Sequence, residues 1–340
     1  MNQYVKIFFV GVFFLTLASC DRDEVFEREQ YKNVFAIVSG ADNVFRVIHD
    51  YRLPFSTGYI SASLGGSKFC DEDIVITMVE DDDVLENYNI SIYQEDRDRY
   101  VKALTKNRYS FDGYTMTIHA GETKASLPVS VNPSGLSPDS VFYIALRVDT
   151  YNTGELNLEK GTILYEVRVK NWWCMYSGTT YVSRGLRFEE GASSSTNLYV
   201  NKNLYPLGPA TVRMMAGSES ERDATNNLNY EGFAMTVQIS DNTSNYTVEG
   251  IVKTGSPVTI RPYDALDMEQ VSPSDPDYDP DYPNIAIDTD DDGYRIFKTF
   301  LLQYRYTDPS GRVARITEEI KLEYIEDLKD PRFLDNLLID

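Results

Sequence analysis

The chain has 340 residues, with 53 acidic and 32 basic side chains and a formal net charge of −21 at pH 7. This length suits about two domains with separate hydrophobic cores. The net charge repels phosphate backbones and anionic lipid headgroups, and no Lys/Arg cluster along the chain offers a local exception, so nucleic acid is disfavoured as a partner. With only two histidines, a metal site built from several histidines is excluded.

The N-terminus has the pattern of a lipoprotein signal peptide. An apolar run over residues 7–17 follows the single cation Lys6 and is too short to span a bilayer as a helix. Two small residues then precede Cys20, which suits cleavage before that cysteine and its lipidation. We therefore expect a signal peptide over residues 1–19 and an acidic tether over residues 20–30. The protein would lie on the cell-surface side of the outer membrane and contact it only through the lipid anchor.

Residues 31–170 have the pattern of an all-β domain, with short runs in which apolar and polar residues alternate. Short runs rich in Val, Ile, Tyr and Phe are separated by Gly, Pro, Asn, Asp and Ser. The period-two pattern predicts strands over residues 59–64, 73–79, 114–118, 125–131, 141–148 and 162–170. This set predicts a β-sandwich, interrupted at residues 84–104 by one or two short helical turns.

A second β domain is predicted over residues 171–340, beginning where Trp172 and Trp173 follow the last strand of the first. No flexible linker separates the domains, so we expect this tryptophan pair at an interface or in a core rather than on a sugar-binding surface. Strands are predicted over residues 198–200, 210–215, 233–239, 246–252 and 258–261, followed by a long hairpin over residues 294–306 and 312–324. The hairpin suits an up-and-down barrel or a second sandwich, followed by a short helix over residues 326–338.

The chain resembles the surface lipoproteins encoded in Bacteroidetes polysaccharide-utilisation loci. The resemblance rests on the signal peptide and tether, on residues 83–89, 109–127 and 143–149, and on the segment from Trp172 through residues 176–181. It implies an N-terminal Ig-like domain, as found ahead of surface endoglycosidases, and a lipocalin-like C-terminal domain. It also implies an extracellular glycan as ligand and an outer-membrane uptake complex as partner. No catalytic signature of the family can be carried over to this chain.

Three carboxylates near the C-terminal hairpin form a candidate calcium site. Asp288, Asp290 and Asp292 occupy positions one, three and five of a loop with Gly293 at position six, which is half of an EF-hand pattern. Positions nine and twelve lack the expected oxygen ligands, so the loop does not complete a helix-flanked EF-hand. The alternative is a hairpin turn with no metal, and no other cofactor is indicated.

A stiff acidic loop over residues 274–283 is the candidate ligand-binding segment. Its prolines exclude it from the centre of a sheet, and it is expected to present Tyr278 and Tyr282 to solvent between carboxylates. Tyrosines stack on the apolar faces of sugars while carboxylates bind their hydroxyl groups. The sequence therefore predicts a glycan contact at this loop, with an ordinary exposed loop as the alternative.

Cys70 and Cys174 remain once Cys20 is lipidated. They are far apart and form no Cys-x-x-Cys pair, so we expect buried, small apolar side chains, with a disulfide as the open alternative. His49 and His119 both flank predicted strands, and we expect structural roles for them.

A non-enzymatic, lipid-anchored glycan-binding protein is the function that the sequence and the resemblance favour. A glycosidase needs two placed carboxylates, and no pair among the 53 acidic residues is singled out. A surface adhesin or fimbrial structural subunit would also be an anchored, acidic, two-domain β protein, so it stays the alternative.

Overall fold

The computed structural model describes residues 33–66, 70–248, 250–308 and 310–324. Cys20, the tether at residues 20–30 and the predicted C-terminal helix at residues 326–338 lie outside the described residues. Within the described ranges, no helix has both the length and the apolar character needed to cross a bilayer.

The N-terminal domain is a β-sandwich. Its strands are β1 (Val34–Ile37), β2 (Val44–Asp50), β3 (Ser56–Gly65), β4 (Ile74–Glu80), β5 (Lys102–Ala103), β6 (Tyr109–Phe111), β7 (Thr115–Ile118), β8 (Lys124–Val131), β9 (Phe142–Tyr151), β10 (Glu155–Leu156) and β11 (Thr162–Lys170). One sheet has the order β10-β1-β3-β8-β6. The other has the order β2-β11-β9-β4-β7, with β5 paired to β9.

Alternating apolar residues of both sheets fill the space between them. The side chains predicted to point inward are buried in one cluster, among them Ile60, Ile76, Met78, Tyr165 and Val167. The predicted Ig-like sandwich is confirmed. Strands β1 and β2 were missed by the pattern, because β1 has only four residues and because the polar Arg46, His49 and Asp50 interrupt the apolar run of β2.

One helix, α1 (Asp82–Tyr93), packs on the sandwich. Asp81 caps it by accepting a hydrogen bond from the backbone N–H of Asp83. The buried Asn89 then pairs with both backbone groups of Val101 at 3.0 Å and holds the returning chain. The helix has 12 residues and is longer than the predicted one or two turns. The prediction was too short because the polar Asn89 interrupts the apolar pattern on the buried face of the helix.

The C-terminal domain is an antiparallel barrel. Its strands are β12 (Thr179–Glu189), β13 (Thr196–Gly208), β14 (Thr211–Met215), β15 (Ala234–Ile239), β16 (Ser244–Val248), β17 (Ile251–Pro262), β18 (Met268–Gln270), β19 (Ile285–Asp291), β20 (Ile296–Thr307) and β21 (Val313–Tyr324), with a short helix α2 (Tyr230–Phe233) before β15. Strands β12, β13, β14, β15, β17, β19, β20 and β21 follow one another around a ring, and pairing of β12 with β21 closes it. The prediction of a second β domain, barrel or sandwich, is confirmed as a barrel.

Two details of this domain differ from the predicted strands. The prediction of one continuous strand over residues 246–252 is wrong. The chain turns between β16 and β17, where Gly250 has a φ of +79°. Strand β12 was missed because its Thr, Ser, Arg and Gly residues hide the alternation. The terminal hairpin of β20 and β21 is confirmed, with full pairing from Ile296 to Thr307.

The barrel interior is packed with side chains. Aromatic and aliphatic residues of all the ring strands form one core cluster that includes Tyr181 and Phe300. Within it, the fully buried Glu318 carboxylate lies 2.7 Å from the Lys202 ammonium and accepts a hydrogen bond from Tyr304 at 2.7 Å. The interior charges are thus paired, as burial requires.

The tryptophan pair lies at the domain junction. Trp173 is buried in the barrel core against Phe300, with ring centroids 4.8 Å apart. Trp172 lies between Arg52 of the N-terminal domain and Lys298 of the barrel, at 5.4 and 4.1 Å from its ring centroid. The predicted interface or core location is confirmed for both.

A buried arginine links the two domains. Arg213 of β14 is 1% exposed and donates to the Asp139 carboxylate of the N-terminal domain, with one bond at 2.8 Å. Its guanidinium also lies 3.9, 4.9 and 5.0 Å from the ring centroids of Tyr230, Tyr263 and Tyr205. Because the charge is buried, its pairing with Asp139 should hold the domains together.

We predict that Asp139→Asn lowers the free energy of unfolding by about 2 kcal/mol, since Arg213 keeps a buried charge without its partner. Asp149→Asn is the matched control, because it breaks a pair with Arg147 in which both side chains are exposed. That change should stay within about 0.5 kcal/mol. Urea denaturation measures both, and equal effects would contradict the role given to Asp139.

A pH dependence follows from His49, which is buried in β2 between the carbonyl of Ser56 at 3.2 Å and the hydroxyl of Tyr165 at 3.0 Å. Burial lowers the pKa of His49 from 6.5 to about 4. The unfolded chain therefore binds this proton at a higher pH than the folded protein does. The stability contributed by the neutral ring is present above pH 6.5 and is lost as the pH falls to about 4, by up to about 3 kcal/mol.

The check compares urea unfolding of the wild type at pH 7 and 4.5 with that of His49→Gln. Carboxylates contribute the same pH dependence to both proteins. Between pH 7 and 4.5, the free energy of unfolding should therefore fall more for the wild type, which has His49, than for the variant. His119→Gln, at an exposed site, should behave like the wild type. Identical pH slopes for all three proteins would refute the assignment.

Candidate functional site

A groove runs over the outer wall of the barrel on strands β12, β21 and β20. Alternate residues of these strands point away from the barrel core. Arg184, Glu319 and Leu301 lie opposite one another in register across the three strands. The β16–β17 hairpin borders this wall, because Tyr246 and Val248 pack beside Leu301. We call this surface the outer-barrel groove.

The groove consists of two adjoining clefts of about 290 and 330 Å³. Both are lined by Arg184, Glu319 and Lys321. The first cleft adds Asp292, Arg295, Phe297 and Glu323. The second adds Ile251, Lys253, Asp281, Tyr282 and Leu301. Each volume lies at the lower end of the range for small-ligand sites, and the shared residues make the clefts one open groove.

Ion pairs order most of the charged side chains in the groove. The Lys321 ammonium lies 3.1 Å from the Glu319 carboxylate. Arg295 donates to the Glu323 carboxylate at 3.2 Å. These pairs present hydrogen-bond donors and acceptors beside the apolar surfaces of the groove, which is the combination that sugar hydroxyls and sugar faces need.

Arg184 stands beside an exposed aromatic ring. On β13, the Tyr199 ring is 70% exposed and lies opposite Arg184 in register. The Arg184 guanidinium lies 5.4 Å from the centroid of that ring. The cation and ring together form a flat surface at the margin of the groove.

The predicted tyrosine loop forms part of the groove wall. Arg305 donates to the Asp275 carboxylate at 2.6 and 2.7 Å, and this bond lowers the pKa of Asp275 to about 2. Gln303 donates to the Tyr282 carbonyl at 2.7 Å. Both predicted tyrosines are half-buried rather than fully presented to solvent, because these bonds hold the loop on the barrel. Tyr282 lines the second cleft, whereas Tyr278 is outside both.

Asp290 of the predicted calcium site is bound by two lysines. Its carboxylate is 2.7 Å from Lys253 and 3.5 Å from Lys321, and it accepts a hydrogen bond from Thr299 at 3.0 Å. Burial alone would raise the pKa of Asp290, but the bond and charge of Lys253 outweigh it and lower the pKa. This carboxylate is therefore stabilised as an anion without a metal.

The other two carboxylates do not join Asp290. The pairing of β19 with β20 shifts register between Ile287 and Asp290, which interrupts the alternation along the strand. Asp288 is exposed on β19, and Asp292 lines the first cleft while accepting backbone hydrogen bonds from Arg295 and Tyr294. In the described part of the chain, no three His, Cys, Asp or Glu side chains are grouped as metal ligands. The chain forms a hairpin at this position, in which β19 pairs with β20.

Neither cysteine takes part in the groove. Cys174 is buried in the barrel core, and Cys70 is partly buried against the sandwich core. Both are free thiols, so the expectation of small apolar side chains is confirmed for Cys174.

The central groove residues were missed from sequence. Arg184, Lys253 and Glu319 come from strands that are distant along the chain, and only the closed ring brings them together. One signal was available. Charged residues alternate at Glu319, Lys321 and Glu323 on the last strand, which indicates an exposed polar face.

Two family models match the chain. A model for an N-terminal domain matches residues 31–155, and a model for a C-terminal domain matches residues 161–321. No curated protein matches. The two matches divide the chain into an N-terminal and a C-terminal domain, in agreement with the sandwich and the barrel.

Solved structures from Bacteroides are similar over nearly the whole chain. A multidomain protein including DUF1735 from Bacteroides ovatus is 16% identical, with a TM-score of 0.54 over 86% of this chain and 95% of its own. A Bacteroides ovatus protein of unknown function is 15% identical, with a TM-score of 0.57 over 91% of this chain and 96% of its own. An auxiliary nutrient binding protein from Bacteroides thetaiotaomicron is 12% identical, with a TM-score of 0.48 over 84% and 94%. The first two similarities show the fold alone, and the third supports no conclusion.

We predict that calcium leaves the thermal midpoint unchanged, because Lys253 and Lys321 already neutralise Asp290. A ligand that binds only the folded state must raise the midpoint. Calcium titration followed by chelator, monitored by differential scanning calorimetry, checks this. A saturable rise that chelator reverses would restore the calcium site.

Proposed function

We propose that this protein is a lipid-anchored, cell-surface glycan-binding protein that assists an outer-membrane polysaccharide-uptake system. The observation that carries the proposal is the outer-barrel groove, in which ordered charges lie beside the apolar surfaces of Phe297, Ile251 and Tyr282. Sugars offer both apolar ring faces and hydroxyl groups, so this mixed surface suits them. The signal-peptide pattern ending at Cys20 supports the anchored location.

An open groove suits a polymer better than an enclosed pocket does. The two clefts share Arg184, Glu319 and Lys321 and continue in both directions from them. A chain of sugar units can therefore lie across the barrel wall with its ends in solvent. Uptake of a polysaccharide requires capture of such an internal segment.

Binding without catalysis is the second part of the proposal. A glycosidase needs one carboxyl group that stays protonated to act as the acid. Glu319 and Glu323 are instead held in ion pairs with Lys321 and Arg295, at 3.1 and 3.2 Å. These carboxylates serve as hydrogen-bond acceptors for sugar hydroxyls.

We predict that Tyr199→Ala and Tyr282→Ala each weaken glycan binding about three- to tenfold, because each removes an aromatic surface beside the groove. Tyr59→Ala is the control, since this tyrosine is 54% exposed on the N-terminal domain. Affinity gel electrophoresis against plant, host and microbial polysaccharides measures retention. Unchanged retention of both groove variants on a polysaccharide that the wild type binds would contradict the site.

A further inference from the structure

Arg184 is the central cation of the outer-barrel groove, and no carboxylate of the groove pairs with it. Among the residues that the structure describes, no hydrogen bond or ion pair reaches its guanidinium, which rests on the Tyr199 ring at 5.4 Å. Glu319 lies directly opposite it in register, but its carboxylate is bound by Lys321 at 3.1 Å. The guanidinium therefore faces the groove with its donors available.

The remaining groove cations are already neutralised. Lys253 lies 2.7 Å from the Asp290 carboxylate, Lys321 is shared between Asp290 and Glu319, and Arg295 binds Glu323. Arg184 thus differs from them, and a guanidinium binds a planar two-oxygen anion through parallel hydrogen bonds. The chain lacks a basic run in sequence, yet folding places these four cations on one surface.

Resting on the proposed function, we propose that the groove selects glycans that carry an isolated acidic sugar, whose carboxylate or sulfate is bound by Arg184. The sugar ring would lie beside Tyr199, and neighbouring neutral units would extend along the two clefts. Arg184 is thereby the residue that determines specificity.

Two features limit the ligand to sparsely charged glycans. The chain as a whole has a net charge of −21, so a uniformly charged polyanion is repelled at long range. Asp281 lines the second cleft and disfavours a second anion there. A glycan with one acidic sugar among neutral ones can bind Arg184 while avoiding both of these repulsions.

The test measures binding of the full mature protein to glucuronoxylan, to the same polysaccharide after carbodiimide reduction of its uronic acids to neutral sugars, and to a panel of neutral polysaccharides. Native glucuronoxylan should bind roughly tenfold or more tightly than the reduced form, since one charge-assisted bond is lost. A sulfated derivative of the reduced polymer distinguishes sulfate from carboxylate recognition.

Variants then locate the effect. Arg184→Gln should bind both forms equally, and Arg184→Lys should keep part of the preference. Arg99→Gln is the matched control, because Arg99 also lies over a tyrosine, Tyr93, at 5.3 Å but belongs to the N-terminal domain. It should keep the wild-type preference.

The outcomes separate the two levels of the proposal. Equal binding of native and reduced glucuronoxylan, a neutral polysaccharide as the best ligand, or a preference that survives Arg184→Gln would overturn the acidic-sugar inference and leave glycan binding standing. No binding to any polysaccharide in the panel would overturn the proposed function together with the inference.

Discussion

The packed interior of the barrel determines which of its surfaces can bind a ligand. The interior of an eight-stranded barrel can be filled by side chains or can hold one small ligand. Here Tyr181, Phe300 and Tyr304 occupy that space, and the buried pair of Lys202 and Glu318 lies among them. A ligand inside would have to displace apolar contacts and break a buried ion pair, which is costly. Recognition is therefore assigned to the outer wall, where the strands expose their other face.

Two segments are fixed on the wall beside the aligned strands of the proposed site. The strand register aligns Tyr199, Arg184 and Glu319 across neighbouring strands. The β16–β17 hairpin packs through its own small apolar cluster, and Arg305 holds the acidic loop against the barrel. The N-terminal sandwich contacts the barrel at Arg213 of β14 and at Trp172, and none of its described residues lines either cleft. A rigid scaffold with fixed side chains lowers the entropy lost on binding.

The sequence predicted the architecture better than the site. Alternation is a local property, so most sandwich strands and the terminal hairpin could be read from it directly. The groove depends on ring closure and on register between distant strands, which no local pattern encodes. Tyr282 was predicted as a ligand contact and lies in the groove, yet Arg184 gave no signal, since it is one exposed arginine in a polar strand. Asp288, Asp290 and Asp292 had suitable spacing, but a register shift and two lysines separated them.

A crystal structure of the protein with a bound oligosaccharide, taken from the polysaccharide that binds best, would show where the glycan lies. We predict sugar density along the outer faces of β12, β21 and β20, in contact with Arg184 and Tyr282. Density inside the barrel, or on the N-terminal sandwich with the groove empty, would contradict it.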